Sequence, residues 1–159
     1  MALVRSYFSL LADYQKKYGP KTFLLMQVGS FFEVYSEKDD DPMMEAFSKI
    51  CDLKIASKGD HFMAGFRDYI LDKYISKTNE NHYTTVVFVQ EEVAGLIQRK
   101  EHAVYSPGTT FLDDEVKLSN NTSCLWIHKT KMTPCSILFG LSNLDIYTCL
   151  LYTSDAADE

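Results

Sequence analysis

The octapeptide Val28-Gly-Ser-Phe-Phe-Glu-Val-Tyr35 follows a short apolar run and is the stretch around which the rest of the chain is arranged. Residues 22–28 predict a buried strand, and Gly29 predicts a turn after it. Strand side chains alternate between two faces, so Phe31 and Glu33 share one face and Phe32 shares the other with Val34. Phe31 and Glu33 are therefore expected to reach the same partner. The alternative is that both aromatic rings are core residues and that Glu33 faces solvent.

Composition places the chain among ordinary globular proteins. Its length of 159 residues is enough for about one domain with a buried core. The hydrophobic share of 46% and the charged share of 24% are typical of such proteins. No apolar run is long enough to cross a membrane, and the N-terminus lacks the features of a signal peptide. We therefore expect no membrane partner and an intracellular location, in the cytoplasm or the nucleus, with an organelle left open. The four cysteines form no Cys-x-x-Cys pair, so reduced and mostly buried thiols are expected.

The last eleven residues, 149–159, resemble one reading frame of a transposase adapter used in sequencing libraries. We predict that they are not native and that the genuine chain is truncated near Thr148. The tail contains three acids, Asp155, Asp158 and Glu159, and no basic residue. The net charge of −6 therefore becomes −6 + 3 = −3 for the remainder.

The spacing of apolar residues, and the glycine, proline and aspartate residues that begin or end elements, predict alternating helices and strands. An apolar stripe with spacings of three and four predicts a first helix that ends before Gly19-Pro20. Asp41 is predicted to cap a second helix over 42–51. This helix is expected to bury Met43, Phe47 and Ile50. Asp68 is predicted to cap a third helix. Further strands are predicted at 53–56, 83–89, 102–105, 124–127 and 137–147, and residues 62–66 form a compact apolar segment.

This alternation predicts an α/β fold in which a mixed β-sheet is flanked by helices. The pattern restarts at Cys124, so we place a boundary near 118–121. The expected organisation is one domain over 1–120, the first strands of a second α/β domain over 121–148, and the foreign tail.

Three other functions are compatible with parts of the sequence. Glu33 with Asp39, Asp40 and Asp41 is an oxygen-rich set that Mg²⁺ could use for phosphodiester cleavage, although the aspartates are sufficiently explained as a loop and a helix cap. Phe31 and Phe32 could be the hot spot of a protein-interaction module. Zinc ligation is the weakest of the three, because its candidates are irregularly spaced and no fourth ligand is evident: Cys124, His128 and Cys135.

Several motifs, in order along the chain, resemble the N-terminal mismatch-recognition region of MutS-type DNA mismatch repair proteins, over residues 7–148. They are Tyr7-Phe-Ser-Leu-Leu11, Gly29-Ser-Phe-Phe-Glu33 where the family has Gly-Asp-Phe-Tyr-Glu, Met63-Ala-Gly65, and Ser106-Pro-Gly-Thr109 where it has Thr-Pro-Gly-Thr. Leu144-Asp-Ile-Tyr-Thr148 then resembles the strand that opens the family's connector domain. The chain departs from the family at Ser30, at Phe32 and in Phe66-Arg-Asp68, which indicates a divergent branch.

The resemblance implies that Phe31 is a wedge that stacks beside a mispaired or unpaired base in kinked double-stranded DNA. Glu33 then either accepts a hydrogen bond from a base as an anion, or is protonated and donates one to a purine nitrogen. Met63 could pack beside the wedge. The candidates for phosphate contacts are Lys58, Arg67, Arg99 and Lys100, each of which is also explained as an ordinary surface charge.

The resemblance also implies what the chain does not carry. It contains no Gly-x-x-x-x-Gly-Lys-Ser/Thr loop, so we expect no catalytic residue, metal or cofactor in this fragment. An ATPase using ATP and Mg²⁺, and the contacts for dimerisation, are expected in missing C-terminal parts of the parent protein. The fragment alone is expected to bind DNA weakly at most.

Overall fold

The computed structural model describes residues 2–93, 95–107, 121–130, 136–145 and 150–155, and the chain divides into two compact units, Met1–Leu112 and Asp113–Glu159. The elements of the first unit are α1 (Ala2–Tyr18), β1 (Thr22–Val28), β2 (Phe31–Ser36), α2 (Pro42–Cys51), β3 (Ala56–Ser57), β4 (Phe62–Arg67), a 3₁₀ turn (Asp68–Ile70), α3 (Leu71–Glu80), β5 (Thr84–Val93) and β6 (Leu96–Tyr105). Those of the second unit are β7 (Asn121–Lys129), β8 (Ile137–Asp145) and β9 (Leu150–Asp155).

The first unit is built on a six-stranded sheet in the order β3-β4-β2-β1-β5-β6. β1 runs parallel to β5, and every other neighbouring pair is antiparallel. The prediction of a mixed sheet flanked by helices is therefore confirmed. β1 and β2 lie at the centre of the sheet, so the octapeptide crosses the middle of the fold.

Helix α1 covers part of one face of the sheet. Tyr7 is fully buried and packs edge-on against Tyr35 of β2, with ring centroids 5.0 Å apart. Tyr14 makes a similar contact with Phe88 of β5 at 5.7 Å. The stripe predicted from the spacing of apolar residues is the stripe that contacts the sheet.

Helices α2 and α3 cover the other face. Phe47 of α2 packs on Phe23 of β1 at 5.1 Å, and Tyr74 of α3 packs on Phe66 of β4 at 4.3 Å. The predicted cap of α2 is confirmed, because the Asp41 carboxylate accepts a hydrogen bond from the backbone N–H of Met43 at 2.8 Å. The fully buried side chains of α2 are Met44, Phe47 and Cys51, whereas Met43 and Ile50 are partly buried at the edge of the same core.

Two local predictions were wrong. The strand expected at 53–56 is only Ala56–Ser57, because Asp52 adopts a left-handed conformation and the Leu53 N–H donates to the Ser48 carbonyl, which extends the end of α2. Asp68 does not cap an α-helix. It begins the 3₁₀ turn that precedes α3, and its own N–H donates to the carbonyl of Ser30 in the β1–β2 turn.

The β5–β6 hairpin is longer than the sequence predicts. β5 continues to Val93 and β6 begins at Leu96 instead of His102. Pairing of β5 with β1 ends at Phe88, so the outer half of the hairpin is a two-stranded arm. The polar residues of this arm show where the core ends, but the strands continue beyond that point. The ladder hydrogen bonds between β5 and β6 extend to the pair Val93 and Leu96.

The second unit is an antiparallel sheet of β7, β8 and β9 in that order. The strands predicted at 124–127 and 137–147 are both present, as β7 and β8. β7 is longer than predicted. Residues 146–149 lie outside the described ranges. Cys51 is buried as expected and Cys124 is exposed, while Cys135 and Cys149 lie outside the described residues. The proposed boundary at 118–121 also falls largely on residues that are not described, and the domain limits and the foreign tail stay predictions.

No helix within the described ranges is both long enough and apolar enough to cross a membrane.

Candidate nucleic-acid interface

The β1–β2 hairpin presents Phe31 at the surface. Val28 pairs with Phe31, which leaves Gly29-Ser30 as a two-residue loop. Gly29 has a φ of 60°, as a type II′ turn requires at its first central position. Phe31 is the first residue of β2 and is 41% exposed, whereas every later residue of the strand is buried. A rigid strand end therefore holds one large aromatic ring in solvent.

Arg67 lies directly across from Phe31. The two residues pair in the β2–β4 ladder, and the Arg67 guanidinium lies 5.3 Å from the centroid of the Phe31 ring. A cation at this distance is attracted by the ring electrons. Arg67 is itself exposed, so the structure brings this predicted residue next to the predicted wedge.

Glu33 lies on the same face as Phe31 but is buried, with 9% of its surface exposed. Its carboxylate accepts a hydrogen bond from the hydroxyl of Tyr35. The alternative drawn from the pattern, a core Phe31 with a solvent-facing Glu33, is thus reversed by the structure. Phe32, at 3% exposure, does take the core position that alternation assigns to it.

Gly65 makes room for Glu33. It pairs with Glu33 across the β2–β4 ladder, and a Cβ atom at Gly65 would lie 2.8 Å from the Phe32 carbonyl oxygen and 3.2 Å from Cγ of Glu33. The first of these distances is closer than packed atoms tolerate, so only glycine fits beside this acid. At Gly65, the apolar segment 62–66 therefore lets the backbone of β2 approach closely.

Tyr35 connects Glu33 to the core. Its ring is 5% exposed and packs on Tyr7. Burial, followed by the hydrogen bond to Glu33 and the negative charge of that carboxylate, raises the pKa of Tyr35 well above its usual value, and the nearby positive charge of Arg99 partly opposes this shift. The Tyr35 hydroxyl therefore stays protonated at neutral pH and donates a hydrogen bond to Glu33. Sequence reasoning missed this role, although a hydroxyl two residues from an acid on one strand face was a visible signal.

A second set of hydrogen bonds holds the β1–β2 turn against the β5–β6 hairpin. The side-chain carbonyl of Gln90 accepts from the Gly29 N–H at 2.7 Å, and the Gln90 N–H donates to Oε1 of Gln27 at 2.9 Å. The Arg99 Nε donates to the Gln27 carbonyl at 3.3 Å. We call Gln27, Gln90 and Arg99 the turn clasp. It begins where the parallel pairing of β1 and β5 ends, and neither glutamine was predicted from the sequence.

The remaining predicted residues are more scattered. Met63 is partly buried and pairs with Tyr35, at the far end of β2 from Phe31. Lys58 is exposed in the turn before β4, at the opposite end of β4 from Arg67. Lys100 is next to Arg99 and so points to the other face of β6, where it forms an exposed ion pair with Glu91 at 3.5 Å. Of the five supporting candidates, Arg67 is the one with a contact to Phe31 among the described interactions.

Two of the four acids proposed as metal ligands, Glu33 and Asp41, have separate partners. Glu33 accepts from Tyr35, and Asp41 accepts from Met43 and from the Ser36 hydroxyl. Over the described residues, no group of three or more histidine, cysteine, aspartate or glutamate side chains converges on a point where a metal ion could bind. Cys135 of the zinc hypothesis lies outside those residues.

A six-stranded mixed sheet with helices on both faces places this chain in the class of α/β domains. Within that class, the chain belongs to the MutS domain I family, whose model matches residues 3–114. This finding confirms the resemblance drawn from the motifs between Tyr7 and Thr109.

Relatives with this domain come from viral, bacterial and mitochondrial sources. A mutS homolog among the DNA mismatch repair proteins, from Acanthamoeba polyphaga mimivirus, is 28% identical over 89% of this chain. The DNA mismatch repair protein MutS of Fervidobacterium nodosum is 28% identical over 75% of it, and the mitochondrial mutS homolog of Sarcophyton glaucum is 27% identical over 67%. The chain spans 14% of the length of each of these three relatives.

Proposed function

We propose that this chain binds double-stranded DNA at mispaired or unpaired bases in DNA mismatch repair, with Phe31 as the wedge that probes the base step. The observation that carries the proposal is the position of Phe31: it is exposed at the start of a central strand and every other residue of that strand is buried. Membership of the MutS domain I family supports it, since relatives with this domain are named as DNA mismatch repair proteins.

Discrimination follows from the mechanics of the duplex. Inserting an apolar wedge into a base step costs a few kcal/mol, and the cost is lowest where pairing is already faulty. Stacking of a base on an aromatic ring returns about 1–3 kcal/mol. A well-paired step therefore resists insertion and a faulty one accepts it, without any reading of the base sequence.

Arg67 supplies charge at the point of contact. Its guanidinium can stay on the Phe31 ring and still donate to a phosphate, because the planar group has five N–H donors. Lys58, Arg99 and Lys100 remain candidates for weaker phosphate contacts. Met63 remains a candidate for packing on the face of the sheet that carries Phe31 and Glu33, which we call the reading face. Such contacts position a duplex without specifying its sequence.

Glu33 has two possible roles toward a base next to Phe31. It accepts from a base N–H as an anion, or it donates to a purine nitrogen when protonated. Glu33→Gln keeps a donor and removes the charge. Loss of homoduplex rejection with full mismatch binding in that variant would contradict the acceptor-only role.

The test compares duplexes of one length that differ only in a single G·T mispair or one unpaired base. At low salt the chain should bind the faulty duplexes more tightly, in the range on the order of 10⁻⁴ M that NMR titration can follow. Phe31→Ala should lower the affinity for the faulty duplexes at least about fivefold, the equivalent of about 1 kcal/mol of stacking, and should thereby reduce or abolish the preference. Equal binding to faulty and matched duplexes, or no effect of Phe31→Ala, would overturn the proposal.

Tyr69→Ala is the matched control for that test. Tyr69 is 78% exposed in the 3₁₀ turn, so this variant also removes an exposed ring from the same unit. It should leave the preference unchanged.

A protein-interaction module remains the second candidate, but its hot spot cannot include both aromatic residues. Phe32 is 3% exposed and packs on Phe66, so only Phe31 is available to a partner. The duplex comparison separates this function from the first one.

The wider activity is a proposal about the parent protein. We propose that this chain is not itself an enzyme, and that ATP and Mg²⁺ are used, and dimers form, in regions of an intracellular parent outside these residues. The proposal rests on the 14% share of the relatives that the chain spans.

A further inference from the structure

Tyr35 is a buried residue whose hydroxyl donates to Glu33, an acid on the reading face. It lies two residues after Glu33 on the same strand face, and its hydroxyl donates to Oε2 of Glu33. The Tyr35 ring cannot move easily, because it is 5% exposed and packs against the fully buried Tyr7 at 5.0 Å. The donor is therefore held in place by the core of the fold.

A glutamate side chain has three rotatable bonds and loses its orientation without a fixed partner. A hydrogen bond to one carboxylate oxygen fixes the group and leaves the other oxygen for a ligand. Gly65 adds to this, because it offers no side chain that would cover Glu33 from the neighbouring strand.

We propose that Tyr35 is a positioning residue for mismatch discrimination: it holds Glu33 so that one carboxylate oxygen meets the base next to Phe31 at little entropic cost. This inference rests on the proposed function and adds a residue to it. Tyr35 does not touch the DNA, and it acts only through Glu33.

Tyr35→Phe tests the inference, because it removes one oxygen and keeps the ring that packs on Tyr7. The measured quantity is the ratio of affinities for a duplex with a G·T mispair and a matched duplex of the same length. The ratio should fall about two- to tenfold, the equivalent of about 0.5–1.5 kcal/mol for one net hydrogen bond. Affinity for the matched duplex should not fall with it.

A double-mutant cycle separates positioning from a purely structural role. In a Glu33→Ala background, Tyr35→Phe should have no further effect on the ratio, because its target is gone. An unchanged ratio in the Glu33 background, an equal loss in both backgrounds, or a parallel loss of both affinities would each overturn the inference.

Tyr74→Phe is the control, since Tyr74 is also a buried tyrosine but packs on the opposite face of the sheet. It should leave the ratio unchanged. Glu33→Asp provides a second route that leaves the Tyr35 core contact intact. By withdrawing the carboxylate from Tyr35 by one methylene, it should lower the ratio as Tyr35→Phe does, and an unchanged ratio would count against positioning.

Phe31→Ala distinguishes failure of the positioning role from failure of the proposed function. If Phe31→Ala abolishes the preference for the mispair and Tyr35→Phe does not alter it, the positioning role fails and the proposed function stands. If Phe31→Ala has no effect, the proposed function fails first.

Discussion

The adjacent residues Phe31 and Phe32 have different roles in one strand: Phe32 packs in the core and Phe31 is exposed. They are chemically identical, yet 41% of Phe31 is exposed and only 3% of Phe32. Full burial of a phenylalanine is worth about 1.5–3 kcal/mol, so the fold forgoes part of that stabilisation at Phe31. An exposed ring on rigid backbone is what a stacking contact with a base requires.

Cys51 gives a prediction about pH. Burial raises the pKa of the Cys51 thiol from 9.0 to about 12, with a smaller opposing effect from Lys77. The unfolded thiol ionises from pH 9 upward while the folded thiol stays protonated, so its contribution to stability is complete below pH 9 and is lost as pH rises toward 12. Between about pH 8 and about pH 10 the free energy of unfolding should fall by about 1.4 kcal/mol from this group.

Urea unfolding at the two pH values measures that loss, and Cys51→Ala should remove it even though the variant is less stable at both. Tyr7 and Tyr35, whose pKa values burial also raises, begin to add losses near about pH 10 in both chains, so the effect of Cys51 is the difference between the fall in the parent chain and the fall in Cys51→Ala. The same fall in the variant and in the parent chain would contradict the assignment to Cys51.

At the scale of elements, the β1–β2 turn depends on side chains from the β5–β6 hairpin. Gln90→Ala removes the acceptor of the Gly29 N–H, and we expect the free energy of unfolding to fall by about 0.5–1.5 kcal/mol. Hydrogen exchange of the Gly29 amide should accelerate more than exchange of amides in the middle of β1, because the turn opens locally.

Gln98→Ala is the control for the turn clasp. Gln98 is an exposed glutamine on the outer arm of the same hairpin, where it pairs with Glu91. Its removal should change neither Gly29 exchange nor stability. Slower or unchanged exchange at Gly29 in Gln90→Ala would show that the turn does not need the clasp.

The helices and central strands were predictable because their signals are local. The Asp41 cap, the apolar stripe of α1 and the β-branched run of β5 each specify structure within a few residues. The burial of Glu33 was not predictable in this way, because it depends on Gly65 from another strand and on the reach of the Tyr35 hydroxyl. The turn clasp likewise joins residues more than sixty positions apart.

At the scale of the whole molecule, the first unit carries its own core. Among the residues that the structure describes, the core residues and those packed against them lie between Leu3 and Tyr105, within the unit Met1–Leu112. The family match over residues 3–114 covers nearly the same span. Contacts within the structure and similarity between sequences thus mark nearly the same unit.

A chain of residues 1–112 should therefore fold without the remainder. We expect cooperative unfolding in urea, monitored by circular dichroism, with a free energy of unfolding within about 1 kcal/mol of the same transition in the full chain, since the described residues of the deleted part contribute none of the core side chains. A chain ending at Glu80 is the control. This shorter chain lacks β5, the parallel partner of β1, and also β6. In it β1 becomes an edge strand, and the buried residues Leu24 and Leu25 lose their neighbours Val86 and Val87. The chain ending at Glu80 should therefore not fold. Failure of the 1–112 chain to fold would show that residues beyond Leu112 are needed to stabilise the sheet that presents Phe31.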